Sequence, residues 1–120
     1  MCHQTVSLVA RRLEAAGIAT VVVGSARDIV EEAGVPRFVF VDFPLGNSCG
    51  KPGDRDMQRD IVSLATEVVA SSIVPRTTVQ APQRWGSDDW RDAFMAVGDH
   101  NRDALRAAGE RRRAHQASSR

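Results

Sequence analysis

Apolar residues recur at helical spacing at Val6, Val9, Leu13 and Ala16, while Arg11, Arg12 and Glu14 fall on other faces. That spacing predicts an amphipathic helix from Thr5 to Ala16. Gly17 stands where a left-handed C-terminal cap is wanted, and the β-branched run from Ala19 to Val23 then predicts a short buried strand. Ser25 with Asp28 three positions on forms a capping-box pattern for a second helix of about two turns, stopped by Gly34 and Pro36. Arg37 to Phe43 carries Phe38, Val39, Phe40 and Val41, apolar on both faces, as befits a strand near the centre of a parallel sheet. A stretch rich in glycine and proline follows from Pro44 to Gly53 and predicts a loop leaving that strand's carboxyl end. Asp54 is placed to cap a third helix to about Ala70, with Met57, Ile61, Leu64, Ala65 and Val68 on its buried stripe.

Beyond Ser71 the pattern weakens. Thr77, Thr78 and Val79 predict a short edge strand between Pro75 and Pro82. Ser87, Asp88 and Asp89 offer a cap and first-turn negative charge for a helix with Trp90, Phe94 and Val97 on one face. From Ala107 to Arg120 the residues are mostly polar, predicting a solvated helix end that frays into a tail. Alternating helices and strands define the expected class as α/β: a small open, mostly parallel sheet with flanking helices, a Rossmann-like or flavodoxin-like fragment, and a C-terminal helix. One domain over residues 2–105 and a polar helix end or tail over 106–120 is the expected organisation. The 120 residues leave no room for separate catalytic and binding domains.

Composition narrows the functional classes. With 42% hydrophobic residues, 26% charged residues and a formal net charge of +1, the chain has the balance of a folded globular protein. Neither a polyanion partner nor nucleic acid is expected, since Arg111, Arg112 and Arg113 lie near Asp103 and Glu110 without interleaved aromatics. Apolar runs fall far below the roughly 20 residues of a membrane helix, so no membrane span is expected. The start, Met1-Cys2-His3-Gln4, lacks the pattern of a secretory signal, and a reducing, cytoplasmic setting is the expectation. No Gly-x-Gly-x-x-Gly series follows the first strand, so no nucleotide is predicted. Cys2, His3, Cys49, His100 and His115 match no zinc spacing, and no metal is predicted.

The chemical interest rests on two cysteines. Cys2 precedes a helix, where the dipole and unpaired N–H groups favour the reactive thiolate, and His3 beside it is a candidate proton acceptor or donor. A non-reactive cysteine near a frayed terminus stands as the alternative. Cys49 lies in the loop after the second strand, at the edge where open α/β sheets bind ligands. In that loop Asn47 and Ser48 are candidate donors to a carboxylate and Lys51 a candidate ion-pair partner, against the alternative of an ordinary solvated turn.

Four segments occur in a telling order: Cys2-His3-Gln4-Thr5, Leu13-Glu14-Ala15-Ala16-Gly17-Ile18, Val35-Pro36-Arg37 and Phe43-Pro44-Leu45-Gly46-Asn47. In them the chain resembles the selenoprotein B family of glycine, sarcosine and betaine reductases, together with the related D-proline reductase subunit. The likeness covers about Cys2 to Val69, and Arg76 to Trp90 looks like short actinobacterial-type relatives. The resemblance implies an oxidoreductase in which a selenocysteine or cysteine before this helix attacks a substrate carbon and displaces an amine. It also implies a small amino-acid-like substrate held on a pyruvoyl group of a partner subunit, no cofactor in this chain itself, and Cys49 beside the reactive centre as a conceivable redox partner of Cys2. Cys2 corresponds to the later cysteine of a Cys-x-x-Cys or selenocysteine motif, whose earlier members and preceding strand would lie ahead of Met1. Met1 is therefore expected to be an internal methionine of a longer reading frame, or the chain a reduced homologue without turnover. A catalytically silent binding or assembly module, with Trp85, Trp90 and Phe94 at a subunit interface, is the competing expectation. Either way a homodimer or membership of a reductase complex is expected, because a sheet with few strands leaves an edge and apolar helix faces to cover.

Overall fold

The computed structural model describes residues 2–94 and 96–118. They fall into two compact units, residues 1–88 and 89–120. In the first, the order is α1 (Cys2–Ala15), β1 (Val22–Gly24), α2 (Arg27–Ala33), β2 (Arg37–Phe40), α3 (Arg55–Ser71) and β3 (Thr77–Gln80). The three strands form one parallel sheet in the order β1-β2-β3, with Val23 opposite Val39 and Val39 opposite Val79. The α/β class and the central place of the second strand are as the sequence predicts.

Residues alternate between the two faces of a strand, and this alternation separates two buried clusters. Val22 and Phe38 pack with Ala10 of α1, Val30 of α2 and Val35 on one face. Val39, Val41 and Phe43 pack with Ile61, Ala65 and Val68 of α3 on the other, together with partly buried Met57, Leu64 and Trp85. Helices α2 and α3 thus cover opposite faces while the strand order advances in one direction. The two crossovers are consequently of opposite hand, and one of them departs from the right-handed rule.

Local chemistry sets the element ends. Asp54 accepts the Met57 N–H at 3.0 Å and caps α3 as expected. After α1 the Ile18 N–H reaches the Leu13 carbonyl and the Gly17 N–H the Glu14 carbonyl, a Schellman closure that needs the left-handed φ of Gly17, +84°. Gly34 closes α2 with φ +71°. Its amino end differs from the expectation: Ala26 is the N-cap, no side chain caps it, and the Ser25 hydroxyl is buried without a partner. The expected capping box with Asp28 does not form. Both strands are also shorter than the apolar runs that announce them, β1 starting at Val22 and β2 ending at Phe40, although the Val41 N–H still bonds the Gly24 carbonyl.

The larger departure concerns α1. A surface helix ordinarily turns its apolar stripe to the core, yet Val6, Val9 and Leu13 are 44%, 51% and 37% exposed. The buried residues of α1 are Ser7 and Ala10. Small side chains on that face let the helix approach closely, and the Ser7 hydroxyl is satisfied by the His3 carbonyl at 2.7 Å. At the far end the Glu14 carboxylate accepts the Thr20 N–H and hydroxyl and pairs with Arg37 Nη1 at 2.6 Å. The Thr20 N–H draws the Glu14 carboxyl below its ordinary range; burial opposes this, and the Thr20 hydroxyl and Arg37 reinforce it.

In the second unit α4 (Asp89–Ala93) stops after five residues and α5 (Arg102–Ser118) has no buried residue. Trp90 and Phe94 meet edge to face, with ring centroids 6.1 Å apart, whereas Val97 lies beyond the helix and is exposed. Asn101 accepts the Gly98 N–H at 2.9 Å and shapes the turn into α5. Among the described residues no helix is long and apolar enough to cross a membrane.

Candidate functional site

Because α2 and α3 leave β1 and β2 toward opposite faces, their connecting loops diverge at the carboxyl ends of these strands. Open α/β sheets bind ligands at such a point. His3, in the first turn of α1, reaches into this edge. Its Nε2 accepts the backbone N–H of Ser25 at 3.1 Å and of Ala26 at 3.4 Å. Both groups lie immediately ahead of α2, in the turn that leads into it from β1. Gly24 makes the approach feasible, since a Cβ there would lie 2.8 Å from the His3 ring. With Nε2 committed as an acceptor, the imidazole anchors α1 to the β1–α2 turn.

Cys2 precedes this anchor by one residue, and its free thiol is exposed. Cys49 is also free and exposed, in the loop that leaves the carboxyl end of β2. The fold therefore puts both thiols on elements at the same edge of the sheet. The loop is internally braced: the Asn47 N–H bonds the Pro44 carbonyl, the Gly50 N–H bonds the Asn47 carbonyl, and Gln58 Nε2 bonds the Lys51 carbonyl. Gly50 is buried against Met57, where a Cβ would meet Met57 Cγ at 3.0 Å. Lys51 directs its ammonium over the Trp85 ring at 5.6 Å, and Trp85 in turn packs on Phe43 at 5.5 Å between centroids. Ser48 is half-buried and Asn47 lies close by in the same turn.

Several of these relations go beyond the sequence expectation. Trp85 belongs to the cluster around Phe43 and Ile61, where it braces the loop. The sequence offers Ser25 only as a helix cap; the role of Gly24 and Ser25 comes from the His3 side chain, distant in sequence. Among the described residues no group of three or more His, Cys, Asp or Glu side chains is placed to hold a metal ion. A shallow groove of about 200 Å³ lies toward the amino ends of β2 and β3, lined by Glu31, Val35, Phe38, Arg76 and Thr78.

The class these features define is a small parallel α/β unit with a histidine-anchored helix carrying an exposed thiol at the carboxyl edge of the sheet. Comparison with known proteins gives that class a relative. The chain is 33% identical over 60 residues to D-proline reductase subunit gamma of Acetoanaerobium sticklandii. The match covers 50% of this chain and 25% of that protein, so the chain spans about a quarter of the relative's length. No family model matches, and no solved structure matches. The chain is thus a partial homologue of a reductase subunit, consistent with a related reductase family.

Proposed function

We propose that this chain is a thiol-dependent subunit of a reductase complex, acting on a small amino-acid-like substrate, with Cys2 as its reactive thiol. The observation that carries the reading is the exposed Cys2 thiol on a first turn pinned by His3 to the carboxyl edge of the sheet. The relative supports the class of reaction and the membership of a larger assembly. The Cys2 thiolate bonds to the substrate carbon as the carbon–nitrogen bond breaks and the amine leaves. A second thiol then attacks the Cys2 sulfur, the carbon leaves with a proton, and a disulfide remains. Cys49 is the candidate for that second thiol, and thiol donors outside this chain restore the pair. Asn47, Ser48 and Lys51 are the candidates to hold the substrate carboxylate beside it.

In this scheme His3 is a positioning residue. It fixes the first turn of α1 so that Cys2 keeps its place at the carboxyl edge of the sheet. The test is selective alkylation: iodoacetamide labels Cys2 about tenfold faster than Cys49 at neutral pH, and His3→Ala removes the preference while the chain stays folded. Mild oxidation with diamide yields a Cys2–Cys49 disulfide, seen by mass spectrometry, if the two serve one redox cycle.

The competing role, a silent assembly module, draws on the exposed stripe of α1. Equal and slow labelling of the two thiols, without any disulfide, would select it.

A further inference from the structure

The face of the sheet that carries Val22 and Phe38 is covered unevenly. Helix α2 packs against β1 and β2 on this side. On β3, Thr78 lies in register beside Phe38, so the two side chains share a face, and Thr78 is only half-buried. The groove of about 200 Å³ opens at this place, floored by Val35 and Phe38 and bordered by Glu31, Arg76 and Thr78.

Its positive border is built by the backbone on both sides. Arg76 holds a left-handed φ of +60°, a conformation that residues with a Cβ rarely adopt. Its guanidinium lies against Gly34, where an added Cβ would stand 2.9 Å from Nη2, so the glycine that closes α2 also makes room for the arginine. Among the described residues Arg76 has no hydrogen-bond or ion-pair partner. Glu31 is already paired with Arg27 at 2.9 Å. The groove therefore joins an uncompensated cation, a hydroxyl and an apolar floor.

We propose that this groove binds a small monocarboxylate with a short apolar tail, its carboxylate on Arg76 and the Thr78 hydroxyl and its tail over Val35 and Phe38. The planar guanidinium fork matches a carboxylate. Glu31 on the border repels a second negative charge, which disfavours phosphate and dicarboxylates. At about 30 Å³ per heavy atom, a water's share of liquid volume, the space holds roughly six or seven, a carboxylate group with three or four further carbons. A rare backbone conformation that persists on an exposed arginine fits a residue kept for binding. The groove lies toward the amino ends of the strands, away from the edge that carries Cys2 and Cys49, so this inference survives if both thiols prove inert.

The experiment titrates the full ¹⁵N-labelled chain with 3-methylbutanoate at neutral pH, with the uncharged 3-methylbutanamide and inorganic phosphate as comparison ligands. The Val35 and Thr78 amide shifts saturate with the acid, at a half-point of about 1–10 mM. The amide and phosphate each bind at least about fivefold more weakly. Arg76→Gly removes the guanidinium and suits the left-handed φ, so it weakens the acid at least about fivefold while the thermal midpoint holds or rises. Arg76→Gln, which keeps the side chain's bulk without its charge, gives a loss of the same order. A response that rises without saturating, equal binding of the amide or of phosphate, or undiminished binding by both variants overturns the proposal.

Discussion

Helices α1 and α3 carry similar apolar periodicity and have opposite fates. On α3 the stripe of Ile61, Ala65 and Val68 is buried against β2, the strand with neighbours on both sides. On α1 the stripe of Val6, Val9 and Leu13 stays exposed, and Ser7 and Ala10 are buried instead. Periodicity records which face of a helix is apolar; it does not record whether the fold supplies a surface for it. A helix over the central strand finds one in its own chain, whereas a helix over the edge strand looks past the end of the sheet.

Substitutions can break or sharpen that contrast. Ile61→Ala removes a fully buried side chain from the α3 cluster, with an expected loss of about 2–5 kcal/mol in urea denaturation. Ala10→Leu forces bulk into the close contact of α1 with β1 and α2, at a cost of about 1–3 kcal/mol. Asp54→Ala removes the cap of α3 and costs about 1 kcal/mol by the same measurement. Val6→Ser, on the exposed stripe, stays within about 0.5 kcal/mol of the parent. A loss for Val6→Ser as large as that for Ile61→Ala would show that the α1 stripe is covered after all.

Acid provides a further distinction. Glu14, held by Thr20 and Arg37, has a lowered folded value, so its contribution is present above its unfolded value and is lost as pH falls through the folded one. Glu14→Gln should therefore flatten part of the acid limb of a stability–pH profile, with its deficit against the parent greatest near neutrality.

What was legible in the sequence follows the range of the interactions involved. Asp54 capping α3, Gly17 and Gly34 ending helices, and the two-sided apolar character of Phe38 and Val39 are all local signals, and the structure contains each of them. The edge strand at Thr77 was likewise readable from its flanking prolines. Relations across the sheet were not. The Ser25 capping box had the right spacing, but the Ser25 N–H that it would have tied to Asp28 is met by His3 from α1. Trp85, which the assembly-module alternative offers to an interface, braces the loop of Cys49 through Phe43 and Lys51, a contact that the sequence did not announce. The candidate thiols were found from residue type and position; the histidine anchor that places one of them required the fold.

The central claim is that anchoring by His3 makes Cys2 the reactive thiol of this chain. The most direct measurement is the pair of iodoacetamide alkylation rates of Cys2 and Cys49, read by peptide mass spectrometry on the parent and on His3→Ala. The account predicts that Cys2 reacts about tenfold faster than Cys49 in the parent and that the difference vanishes in the variant. Equal rates in the parent, or a Cys2 preference untouched by His3→Ala, would contradict it.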